Sequence, residues 1–109
     1  MPTLAVFSTY PDAETARSIA HTLVKEQLAA CANIIPGVES IYRWKGAIET
    51  SGEVLAILKT TEERYPELEA RIKELHPYEV PEVVAVELVA GLPAYLRWVE
   101  ENVGRDVRD

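Results

Sequence analysis

Few side chains in this 109-residue chain can do chemistry, and they gather around Cys31, around Lys59 and in His76-Pro77-Tyr78-Glu79-Val80-Pro81-Glu82. His76, fixed beside Pro77, offers a neutral imidazole suited to Cu(II), Zn(II) or Ni(II). One imidazole is not a site, because specific metal sites need three or four ligands. Three copies meeting on an axis would supply them; the alternative is a loop histidine hydrogen-bonded to backbone or across a subunit contact. Cys31 is the only thiol, hence the only soft ligand for Cu(I) or the only redox-sensitive group. Its neighbours Ala29, Ala30 and Ala32 favour the plainer reading, a buried and unreactive thiol. Lys59 ends an apolar run at the parity of Leu55 and Ile57 and needs a partner. Glu79, Glu82 or an anionic ligand would serve. Tyr42, Trp44 and Tyr78 are the aromatics to line a cleft for such an anion, and Arg43 the residue to grip it, unless they simply pack an interface. Glu79 and Glu82 are also hard oxygen ligands, but no nucleophile accompanies them.

The chain has no CxxC, HExxH, GxGxxG, Gly-Lys-Ser phosphate loop or EF-hand loop, so no enzyme is indicated. Net charge is −7, with the 11 basic residues scattered singly. That argues against a nucleic-acid partner, which needs a concentrated basic face, and makes weak attraction of cations unsurprising. The size suits one domain over residues 1–109, with 48% apolar residues to build an unstapled core. A lone cysteine precludes an internal disulfide. MPTLAVFSTYP carries neither a basic leader nor an apolar run long enough to span a membrane. The expectation is a cytoplasmic protein with no membrane partner.

The elements that must position these residues follow from periodicity. Leu4–Thr9 reads as a strand, and Tyr10-Pro11-Asp12 as a helix start. Ala16, Ile19, Ala20, Leu23 and Val24 form one stripe of a helix over 13–27. Ala29–Trp44 and Glu53–Thr61 read as the arms of a long hairpin around turn signals at Lys45-Gly46 and Ser51-Gly52, with a bulge or bend at Pro36-Gly37. Thr60-Thr61-Glu62-Glu63 resembles a capping box for a second helix starting near Arg64 and stopped by Pro77. Val83–Val89 is a fourth strand. A third helix follows Gly91 to about Val103, burying Tyr95, Leu96 and Val99, and Gly104–Asp109 is expected to fray. The order β-α-β-β-α-β plus a helix is the split βαβ, ferredoxin-like α+β arrangement. In the second hairpin arm Val54, Ala56 and Leu58 face one way, Leu55 and Ile57 the other. Helices cover one face of such a sheet, so the other apolar face predicts self-association.

The segments LAACANIIPGVESIYRWKG, EVLAILKTT and LHPYEVPEVVAV, in this order and spacing, resemble the CutA divalent-cation tolerance family, from about Ser8 to Trp98. The resemblance implies a ferredoxin-like homotrimer whose subunits pair sheets through the long hairpin, a likeness to the trimeric PII signalling proteins, and a link to tolerance of copper and other divalent ions. A copper site associated with the family uses a Cys near the end of the first strand and a His-His pair before Pro-Tyr. Those positions here are Ser8, Leu75 and His76, of which only His76 keeps a ligand.

Overall fold

The computed structural model describes residues 2–104. The elements are β1 (Thr3–Tyr10), α1 (Ala13–Lys25), β2 (Cys31–Trp44), β3 (Ala47–Thr61), α2 (Tyr65–Leu75), β4 (Val83–Glu87) and α3 (Pro93–Asn102). The strands form one antiparallel sheet in the order β2-β3-β1-β4, the ferredoxin-like α+β arrangement read from the sequence. The expected fraying falls, from residue 105 on, outside the described residues.

Two small-residue choices shape the hairpin. Lys45 (φ 51°) and Gly46 (φ 84°) make the two-residue turn, with positive φ at both positions as a type I′ hairpin turn demands. Ser51-Gly52, expected within the loop, instead lie in β3 opposite Ser40 and Glu39. One complete turn is already supplied, so the second glycine stays in the ladder. Between Ile35 and Val38 the register shifts at Pro36-Gly37, as anticipated from a residue without a donor followed by one free at φ 84°. Because β1 pairs only with Val54–Thr61 of β3, the distal half of the hairpin overhangs the sheet.

α1 begins where Asp12 Oδ1 accepts the Thr15 N–H at 2.7 Å. It ends in a Schellman motif: Leu28 N–H reaches Leu23 O, Gln27 N–H reaches Val24 O, and Gln27 takes φ 61°. The helix therefore stops at Lys25, and Val24 faces outward at 39% exposure while Ala16, Ile19, Ala20 and Leu23 are buried. The Thr15 backbone bond holds the Asp12 carboxyl below its ordinary 3.8. A lowered native value means the unfolded chain binds more protons on acidification. The stability lost in Asp12→Ala should therefore be fully visible above pH 3.8 and shrink as pH falls through the native value. Paired unfolding curves at neutral and acid pH read that difference; an equal loss at both would show that the charge is irrelevant.

The α2 capping box is not formed. Thr61 is still in β3, opposite Thr3, so the N-cap is Arg64, without a side-chain cap and with Pro66 in the first turn. The helix ends as predicted, because Pro77 forces His76 to an extended ψ of 138°. β4 stops at Glu87 rather than Val89, since β1 starts at Thr3, whose carbonyl takes the Leu88 N–H.

The core lies on one face of the sheet. Val6, Tyr10, Val54, Ala56 and Leu58 pack against Ala16, Ile19 and Leu23 of α1 and Leu68 and Ile72 of α2. The opposite face was expected to be bare. In fact α3 lies against β3 and β1 at one end of it, where Val99 and Val103 bury Ala30 and Tyr95 meets Cys31. Val99 alone of the predicted trio is buried; Leu96 is half-buried and Tyr95 exposed. The rest of that face, with Phe7, Ile35, Leu55, Ile57, Val84 and Val86, has no covering element among the described residues, and Val84 and Val86 are 52% and 50% exposed.

A candidate cation cleft beneath the hairpin

His76, at the C-terminal end of α2, organises the candidate site by anchoring to the end of β1. His76 is 7% exposed. Its Nδ1 accepts the Tyr78 N–H at 3.1 Å, which requires Nε2 to carry the proton donated to Thr9 O at 2.7 Å. Its ring stacks on Tyr10 at 4.7 Å and lies 4.6 Å from Tyr78. Tyr78 in turn donates its hydroxyl to Glu53 Oε2 at 2.7 Å. Burial, reinforced by the hydrogen bond to Glu53 and its charge, pushes the Tyr78 phenol well above its ordinary range; burial also raises Tyr10. His76 thus ties the loop 77–82 to the sheet, and Tyr78 ties it to the hairpin.

Between that loop and the overhanging hairpin lies a cleft of about 820 Å³. Its aromatic wall is Tyr42, Trp44 and Tyr78, and its carboxylates are Glu49, Glu53, Glu79 and Glu82; no Lys or Arg among the described residues lines it. The sequence reading offered Tyr42, Trp44 and Tyr78 as a cleft lining and Glu79 and Glu82 as partners of Lys59 or hard-ion ligands; it did not name Glu49 and Glu53. Their signal was parity: in β3 both share the face of Leu55 and Ile57, and Glu49 pairs with Tyr42 across the ladder.

Other expectations need correction. Lys59 does not line this cleft and has no carboxylate partner among the described residues; its Nζ donates to Asn33 Oδ1 at 2.9 Å. Lys59 is opposite Ala5 of β1, whereas the cleft adjoins Thr9, four residues or roughly 13 Å along the strand. Arg43 alternates to the other hairpin face from Tyr42 and Trp44 and does not line the cleft. An anion would therefore meet four carboxylates and no Lys or Arg of the lining among the described residues.

The two residues expected to ligate metal are not brought together. Cys31 is opposite Lys59, at the α3 end of the open face, 3.4 Å from the Tyr95 hydroxyl, while His76 is anchored at Thr9. The Tyr95 phenol is raised to about 12 by its hydrogen bond to Cys31 and by burial. With both ring nitrogens of His76 hydrogen-bonded to main chain, no imidazole lone pair is free. Ser8 is buried in the sheet and Leu75 packs against the core, so neither offers a ligand beside it. No three His, Cys, Asp or Glu side chains converge to hold an ion among the described residues. These side chains within one chain do not fit a resident copper centre.

The fold and its sequence match known proteins closely. Residues 4–102 match the family model described as CutA1 divalent ion tolerance protein. The divalent-cation tolerance protein CutA of Thermus thermophilus is 50% identical over 99 residues, which cover 91% of this chain and 96% of that protein. Mouse protein CutA is 45% identical over 97 residues, covering 89% of this chain but 55% of the mouse protein, so the chain spans about half of that longer relative. The solved structure of the Thermus thermophilus divalent cation tolerance protein (Cut A1) has a TM-score of 0.91 at 49% identity, with 94% of this chain and 99% of that one covered. A match spanning the sheet, all three helices and the cleft loop leaves one assignment: the chain belongs to the CutA1 divalent ion tolerance protein family.

Proposed function

We propose that the chain works as a non-enzymatic homotrimer in the response to divalent metal ions, gathering hydrated copper, zinc or similar ions weakly in the cleft beneath the hairpin. The observation that carries this reading is the cleft's lining of four carboxylates with no Lys or Arg among the described residues. Dispersed carboxylates lower the potential and concentrate cations without stripping their water, whereas a tight site needs convergent ligands. The open apolar face around Ile57 and Val84 is the surface through which copies associate, and the cleft adjoins it at Thr9. No basic side chain supports the other reading, a PII-like trimer binding an anionic molecule there. A cytoplasmic location completes the proposal, and cell fractionation tests it; no described helix is long and apolar enough to cross a membrane.

The test is calorimetric titration of Zn(II) and Cu(II) into wild type, Glu49→Gln/Glu79→Gln/Glu82→Gln, and His76→Ala, with metal counted per assembled protein. The expected result is weak binding, with Kd of about 10⁻⁴ M or above, that the triple substitution removes. Micromolar binding abolished by His76→Ala would overturn the cleft reading and make the imidazole a ligand after all.

A further inference from the structure

The cleft has features that a bare metal ion does not use. Three aromatic side chains line it, and Tyr42 and Trp44 keep 43% and 37% of their surface exposed. The Trp44 ring already serves as a cation platform, with Lys45 Nζ 5.6 Å from its centroid. Glu53 is only 9% exposed and forms no ion pair among the described residues. Its Oε2 is held by Tyr78, and the charge of this nearly buried carboxylate is otherwise uncompensated. The remaining wall is apolar at Ile41, Pro77, Val80 and Pro81, with the hydroxyl residues Thr9 and Ser40 completing it.

We infer that the cleft is a binding site for an organic ammonium ion, its charge over the Trp44 and Tyr42 rings and against Glu53, and its carbon body along Val80 and Pro81. The inference shares with the metal reading only the negative lining; it does not need metal to bind. Three physical arguments select this ligand class. An ammonium ion is attracted to aromatic faces, and the attraction grows as water is excluded. It requires no converging lone pairs, which the cleft lacks. An apolar body rewards the apolar wall, which a hydrated ion cannot exploit, and a volume of about 820 Å³ suits a small organic molecule. The wall is also set in place before any ligand arrives: His76 pins the loop to Thr9, and Tyr78 pins it to Glu53.

The probes are tetramethylammonium and 1,4-diaminobutane, titrated at low ionic strength into the assembled protein and followed by calorimetry. tert-Butyl alcohol serves as the neutral control of similar shape. The expected result is saturable binding of an ammonium probe, absent for the alcohol and weakened at least tenfold in both Trp44→Ala and Glu53→Gln. Glu53→Gln keeps an amide oxygen for the Tyr78 hydroxyl, and Trp44 is near the hairpin tip, so both variants should fold; near-UV circular dichroism checks this. Tighter binding of the diamine would identify a dication using two carboxylates, and tighter binding of tetramethylammonium a quaternary ion enclosed by rings. Either supports the site. Zn(II) titration into the same wild-type protein separates the two readings, because ammonium binding does not need metal to bind. Failure of metal binding with ammonium binding retained would sink the metal reading alone. Equal binding of alcohol and ammonium, ammonium binding unchanged in both variants, or no saturable binding would overturn the inference.

Discussion

Ile57→Asp and Leu55→Asp are each expected to convert the assembled protein to monomers in multi-angle light scattering. Both side chains alternate away from the helix-covered core and sit on the open face, half-buried within one chain, with Phe7 and Thr9 opposite them on β1 and Asn33 and Ile35 on β2. A carboxylate at Leu55 has no cation directly across either ladder, whereas one at Ile57 faces Asn33, which already holds the Lys59 ammonium, so Leu55→Asp is the sharper of the two. Burying an unpaired charge in an interface costs about 3–5 kcal/mol, or roughly two to more than three orders of magnitude in each association constant. Val24→Asp, on the outer surface of α1, supplies the control and should leave the mass unchanged. If both open-face variants kept the wild-type mass, this face would not be the interface.

His76→Ala should be the costliest single change near the cleft. It strands two main-chain groups, Thr9 O and Tyr78 N–H, and removes a ring packed between Tyr10 and Tyr78. An unsatisfied buried polar group costs about 1–3 kcal/mol, and aromatic contacts add about 0.5–1.5 kcal/mol. We expect a loss of about 2–4 kcal/mol in guanidinium unfolding, before any metal is added. A loss under about 1 kcal/mol would mean that the tether does not hold the loop. This experiment also separates scaffold from ligand: a destabilised His76→Ala that still takes up metal weakly has lost a wall, not a coordinating atom.

The sequence by itself determined the element order, the two-sided hydrophobicity of β3, the bulge at Pro36-Gly37, the helix stop at Pro77 and the family. The first four rest on local chemistry or short-range periodicity: a missing donor, a permitted φ, alternation at Val54–Leu58; the family rests on the resemblance of three ordered segments. It also offered Tyr42, Trp44 and Tyr78 as a cleft lining, because the first two share one strand face and the third sits in a rigid loop. What it left open depended on pairing between distant segments. Only the register of β2 against β3 placed Lys59 by Asn33 rather than by Glu79 or Glu82, and only the overhang of the hairpin set Glu49 and Glu53 opposite the loop. Together these turned an expected anion cleft into an acidic one. The hydrogen bonding of His76 was likewise decided by tertiary structure. An imidazole's availability depends on what its two nitrogens already hold, and here Thr9 and Tyr78, 67 positions before it and two after, hold both.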